Sequence, residues 1–327
     1  MSIFRRQSSI SRIAAILGAT LSLAAVVYFL MFAFQQWNSI PLDLFTPQTL
    51  FFLAGMAILY LLVIIFNGWA WHLLLVASGE VPKLLDSLII FVQSQFAKYI
   101  PGNIAQHIGR IALSRSYGLH IPRVVFIMGI EIAWMILASS SLGAASFLSL
   151  DVKGLGVSGL VLPIWKMIAM AAIAIVLPIV GTAILARWRP SWIDRLFPDG
   201  GFERPGAAIL IVVYLIYVMS LAAMGWMADS FARTAFHVPQ SYILTTIGIY
   251  ALAWVAGFLT PGAPAGIGIR EVILAAAFTQ LYGESIALGI TLSLRAVTMA
   301  GDVLAFLIGS LARGILKSKI VQSSSST

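Results

Sequence analysis

The chain has 327 residues, 60% of them hydrophobic and only 10% charged, with a net charge of +8. That composition excludes a soluble globular domain, and in a membrane protein the positive balance belongs to cytoplasmic loops rather than to a nucleic-acid partner. The absence of cysteine excludes disulfides, zinc thiolates and thiol catalysis.

The first predicted element is a span over 13–36. Ile13 to Phe34 is 22 residues without a charge, about 33 Å as a helix, against a hydrocarbon core of roughly 30 Å. Arg5, Arg6 and Arg12 precede it as in a signal peptide, but the run is too long for one and more spans follow. A second span covers 50–72. The next apolar segment, Asp86 to Tyr99, stops short at Pro101-Gly102-Asn103 and resumes past Gly109-Arg110. Its 14 residues make about 21 Å of helix, too little to cross, so it is read as one arm of a re-entrant hairpin.

A third span is predicted over 122–149 and a fourth over 160–186, joined near Asp151 to Gly159. The segment 187–206 mixes arginines with Trp188, Trp192, Phe197 and Phe202, the composition of an interfacial elbow. The fifth span covers 207–228. A second broken segment then carries Pro261-Gly262, Gly266, Gly268 and Arg270, with 13 residues from Arg270 to Tyr282, and the sixth span covers 285–312. A serine-rich tail, 320–327, is expected to be disordered.

Charge tests this layout. With the N-terminus inside, thirteen of the 20 Lys and Arg fall in cytoplasmic segments, and only Lys153 and Arg233 in outer ones. That asymmetry fits the positive-inside pattern and places both termini in the cytoplasm. The chain is therefore expected to be an all-α polytopic membrane helix bundle of one domain, with six spans and two re-entrant hairpins. Repeat one covers about 13–150 and repeat two about 160–312. Each has two spans, a hairpin and one span, so the odd number of crossings inverts the second relative to the first.

In both hairpins the proline precedes an arginine by nine residues. Broken helices are tolerated in a membrane only where the backbone is buried in protein or lines a wet cavity, and paired breaks in two halves point to a midplane binding site. Arg110 and Arg270 are placed after the breaks, at the start of returning half-helices, where free N–H groups and a guanidinium fork favour an anion such as phosphate. Alternatively each arginine pairs with a carboxylate such as Glu131 or Glu271. The other intramembrane charges are Lys98, His107, Lys166, Arg295 and Asp302. Glu131 is either a proton-coupling group or an arginine's partner, and His107 either titrates or is structural.

On the sixth span Thr291, Arg295, Thr298 and Asp302 share one face beside Gly301, Ala305 and Gly309. This stripe either lines a pathway or is an internal Arg295–Asp302 pair. Gly154 to Gly159 matches a dinucleotide motif but follows no strand, so no nucleotide, cofactor or metal is expected.

Lys98-Tyr99-Ile100-Pro101-Gly102-Asn103 with Gly109-Arg110, and Pro261-Gly262 through Gly266, Gly268, Arg270 and Glu271, resemble the transmembrane region of lysylphosphatidylglycerol synthases. This is the flippase half of the multiple peptide resistance factor, and stand-alone bacterial proteins share it. The family's second motif reads P-G-G-x-G-x-R-E, and here Ala263-Pro264-Ala265 lengthens it. The aminoacyl-transferase domain of the synthases is expected to be absent, because the chain ends soon after its last span. The resemblance implies lipid translocation or handling rather than lipid aminoacylation, so the chain is expected to be a non-enzymatic flippase or lipid-handling transporter that moves or binds an anionic phosphate-headgroup membrane lipid in a bacterial inner membrane. Alternatives are a small-anion transporter and an accessory component working with envelope-assembly enzymes, including a polyprenyl-phosphate-dependent glycosyltransferase.

Overall fold

A computed structural model of the chain describes residues 46–99, 105–146, 203–260, 266 and 268–325, side chains through 315, with isolated positions before and between them. The expected spans 13–36 and 160–186, the join, most of the elbow, Lys166, Pro101, Gly102, Asn103, Pro261 and Gly262 lie outside the described residues.

Eight α-helices make up the described chain, with no strand among the described residues. Helix α1 spans Pro47–Ala77, α2 Leu84–Gln95, α3 Ala105–Ser116, α4 Ile121–Ser146, α5 Ala207–Thr234, α6 Ile243–Leu259, α7 Ile269–Tyr282 and α8 Glu284–Ser325. A 3₁₀ turn, Phe96–Tyr99, continues α2. Helix α1 begins where Thr46 accepts from the Thr49 N–H and Pro47 supplies the fixed φ of a first turn. Helix α8 continues through Ser325, into the serine-rich stretch expected to be disordered.

Four helices, α1, α4, α5 and Glu284–Ile315 of α8, are long and apolar enough to cross a membrane. Each outlines a predicted span. The other four are short: α2 and α3 have 12 residues each, α6 has 17 and α7 has 14. At 1.5 Å per residue these reach about 18–26 Å, less than the hydrocarbon thickness. The order long, short, short, long thus occurs twice, with the proline-glycine breaks falling between the short helices of each set.

Packing follows the same duplication. Helix α2 lies against α1 and α8, while α6 lies against α5 and α4. Helix α3 packs on α2 and α4, and α7 on α6 and α8. Exchanging the first four helices for the second four leaves this pattern unchanged. Each short pair is therefore clasped by both long helices of its own set and one of the other.

Small residues permit these approaches. A Cβ added to Gly225 of α5 would stand 2.2 Å from the Ile247 Cα of α6, and one on Gly248 of α6 would stand 1.7 Å from the Ser146 hydroxyl of α4. On α8 the predicted small-residue edge lies against its neighbours, Gly301 on Tyr60 of α1 and Gly309 on Val92 and Gln93 of α2. Trp71, Tyr217, Phe231 and Phe278 fill the interior, whereas Phe51, Met219 and Leu311 face outward. Apolar side chains turned outward from long apolar helices suit a hydrocarbon surrounding.

Candidate functional site

All eight helices and the 3₁₀ turn contribute to the wall of one partly open cavity of about 160 Å³. A water needs roughly 10–15 Å³ of such space, so on the order of ten would fit. Charge enters the wall at five places: Lys98 of the turn, Arg110 of α3, Glu131 of α4, Arg270 of α7 and Asp302 of α8. These come from both broken pairs, so Arg110 and Arg270 share one cavity.

Glu131 holds Arg110. Its Oε2 lies 2.5 Å from the Arg110 Nη1, while the Arg110 Nε donates to the Ser94 hydroxyl at 3.3 Å. The guanidinium also sits 4.3 Å from the centre of the Phe91 ring. Arg110 is only 2% exposed, and a charge so deep requires such partners.

Asp302 is fully buried and receives three donors. Lys98 Nζ straddles its carboxylate at 2.7 and 2.8 Å, the Tyr99 hydroxyl donates at 2.5 Å and the Tyr60 hydroxyl at 3.2 Å. Lys98 also donates to the Tyr60 oxygen at 3.2 Å. The turn after α2 is thereby tied to α1 and α8 through one carboxylate.

Glu271 closes the third group. Its Oε2 accepts the Gly268 N–H at 2.7 Å, capping α7, and its Oε1 faces Arg295 at 3.3 Å and Arg270 at 3.8 Å. Gly266 and Gly268 have φ of +69° and +87°, a left-handed region that side chains disfavour, and this bends the chain into the helix start. Gly266 also needs room: a Cβ there would stand 3.2 Å from the Gly257 Cα of α6.

The three groups leave an imbalance. Four cations, Lys98, Arg110, Arg270 and Arg295, face three carboxylates. Arg270 and Arg295 are the two of these cations without a side-chain hydrogen bond to a described residue, and of the two Arg270 is the farther from Glu271 and the one on the cavity wall. At 3.8 Å from a carboxylate already engaged twice it makes no hydrogen bond, and none joins it to any other described residue. Its N–H donors have no acceptor among the described residues, and the side chain lines the cavity wall. His107 lines the same cavity, with Nε2 3.2 Å from the Gln106 amide nitrogen and Nδ1 unpartnered among the described residues.

Several expected arrangements differ from this geometry. Arg295 and Asp302 do not pair: seven residues along a helix separate them by about 10 Å, and each finds a nearer partner off the helix. Thr291 donates to the Ala287 carbonyl of its own helix, so only Thr298 and Asp302 of the polar stripe reach the cavity. Glu271 and Arg295 are absent from the wall and brace α7 against α8 instead. Gly109 is not a break but lies within continuous α3. Arg110 is the sixth residue of α3, whereas Arg270 is the second of α7, so only Arg270 occupies a helix start. That start is not wholly open, because Glu271 takes the Gly268 N–H.

Tyr99 of the first motif lines the cavity, as do Tyr60, Tyr217, Tyr250 and Asn67, which were not anticipated. Tyrosines in apolar spans are unremarkable by composition, but Asn67, a lone amide in an uncharged span, was a readable signal. Among the described residues no group of three His, Asp or Glu is placed to hold a metal ion.

A family model described as the lysylphosphatidylglycerol synthase TM region matches residues 13–305. No curated protein matches the chain.

Proposed function

The chain belongs to the lysylphosphatidylglycerol synthase transmembrane-region family, and from that premise we propose that it translocates an anionic membrane lipid, taking the phosphate-bearing headgroup into the cavity. One observation carries this reading: of Arg270 and Arg295, the two cations of the cluster without a side-chain hydrogen bond among the described residues, Arg270 stands on the cavity wall. A guanidinium binds a phosphate through two parallel N–H bonds, a pairing that gives direction as well as charge. The paired broken helices support transport, because inverted repeats with discontinuous helices at their interface recur in transporters. The chain acts here as a carrier rather than an enzyme. Glu131 and Asp302, the two carboxylates on the wall, are each held by a cation, which leaves neither poised as a general base. Its proposed setting is a bacterial inner membrane with both termini cytoplasmic.

The test is leaflet-resolved translocation of a fluorescent anionic phospholipid in vesicles holding the purified protein. Arg270→Ala should lower the rate roughly 10–100-fold, the worth of a charge-assisted contact. Arg270→Lys should recover part of it, keeping charge but losing the fork. Thermal unfolding of both variants should remain near wild type. A wild-type rate for Arg270→Ala sinks the proposal, and a loss explained by unfolding makes the arginine structural.

A further inference from the structure

The two broken helix pairs are held in unequal ways. Helix α7 buries Leu274, Ala275, Phe278 and Tyr282 together with Glu271. Helix α3 buries only Arg110 and Ser114. Its apolar Ile111 and Leu113 are partly covered, and Ile108 is 61% exposed. What holds α3 is therefore chiefly polar: Arg110 bonds to Glu131 of α4 and Ser94 of α2, with the Phe91 and Trp71 rings against its guanidinium. A helix with few buried apolar contacts belongs to the low-stability end of a fold and can open while the rest stays folded.

That polar contact is also incompletely satisfied. His107 Nδ1 and the Ser114 hydroxyl on α3, and the Trp71 Nε1 beside Arg110, are buried with no hydrogen-bond partner among the described residues. On α7 only the hydroxyl of Tyr282, its last residue, is in that condition. Buried polar groups without partners are destabilising, so an interface that gathers them favours an arrangement in which they reach water. Separation of α3 from its neighbours provides one.

Helix α3 stands between the cavity and one face of the protein. Gln106, His107 and Arg110 line the cavity, whereas Arg115 and Ser116 at its far end are exposed. Just beyond, the His120 N–H meets Glu80 of the α1–α2 link at 3.3 Å, so α3 ends on the face where α1 ends and α2 starts. The 3₁₀ turn that precedes α3 in sequence is fixed to α8 through Lys98, Tyr99 and Asp302. Given the transport reading above, we infer that α3 is the moving gate of the cavity. It swings away from the fixed turn as a unit, Arg110 parts from Glu131, and both ions meet water instead of each other. The cavity then opens to the face where α1 ends, cytoplasmic in the proposed orientation, while α7 stays in place.

The test reads the motion and its consequence separately. In the purified full-length protein, the amides of 105–116 should exchange hydrogen roughly tenfold faster or more than those of 269–282. Equal or slower exchange overturns the inference. A Cβ built on Gly109 would stand 3.8 Å from the Ala97 Cβ of the turn, and one on Gly309 of α8 would stand 3.6 Å from the Val92 Cβ of α2, separations that suit a disulfide. In this cysteine-free chain, Ala97→Cys with Gly109→Cys staples α3 to the turn, and Val92→Cys with Gly309→Cys staples two helices that the gate leaves in contact. Oxidising the first pair should slow phospholipid translocation in vesicles roughly tenfold or more against the same protein reduced with dithiothreitol, because the open state is withheld. Oxidising the second should leave the rate within about twofold of its reduced form.

Three outcomes overturn the gate: a first pair that fails to cross-link in membranes, a first staple that forms without slowing translocation, or equal slowing by both staples. A wild-type protein that moves no phospholipid overturns the transport reading instead, and the exchange contrast then decides by itself whether α3 moves.

Discussion

Lys98 and Asp302 show what a single buried pair demands. Asp302 has no exposure, and its three donors come from the 3₁₀ turn and α1, none from its own helix. Removing either charge leaves the other stranded, at a cost of about 3–5 kcal/mol, whereas replacing both with apolar groups is far milder. Asp302→Leu and Lys98→Met should each lower the unfolding midpoint strongly, and the double variant Lys98→Met with Asp302→Leu should be more stable than either. Unfolding of the four proteins in detergent gives the coupling, and additive effects would show that the pair is not a unit. Both residues were legible as charges in apolar runs, since such charges need partners. Their pairing was not. The contact joins residues 204 apart in sequence, and Arg295, seven residues away on the same helix, was the partner that spacing alone suggested.

The broken helices were legible for a different reason: proline, glycine and short apolar runs are local features. The nine-residue spacing misled in one respect. Helix α3 begins four residues after Pro101, but α7 begins eight residues after Pro261, with the left-handed Gly266 and Gly268 between. Equal spacing in sequence therefore places Arg110 in the second turn of its helix and Arg270 in the first. Clasping of the short helices by long ones was not readable at all, because it depends on which faces meet. It does yield a prediction. Gly225→Ala drives a Cβ toward the Ile247 backbone of α6, which cannot swing aside as a side chain can, and should cost about 1–3 kcal/mol. Gly129→Ala, with nothing within 4 Å, is the control and should leave stability unchanged or slightly raised. Equal midpoints for the two variants would show that α5 and α6 do not approach so closely.

For the whole molecule, hydrophobic runs disclosed the membrane class and the positions of the four long helices. The charge asymmetry carries the orientation, which packing alone does not. The chain has no cysteine, so single substitutions give a clean readout of sidedness. Arg115→Cys, at the exposed end of α3, should react with an impermeant thiol reagent only in inside-out vesicles. Gln240→Cys, exposed between α5 and α6, should react on intact cells. The opposite pattern reverses the orientation, and labelling of both positions from one side removes the inversion between halves.

The long reach of the Lys98–Asp302 contact also sets an order of events during synthesis. At roughly 5–20 residues per second, the lysine leaves the ribosome roughly 10–40 s before its carboxylate exists. Throughout that interval the first broken helix pair lacks α8, one of the three long helices that clasp it, and a lysine bound for the interior has no counter-charge from that helix. The halves resemble one another in plan, yet neither is a self-sufficient folding unit. A nascent first half must wait, with its charged turn held in water or by another protein, until the last helix arrives to close it.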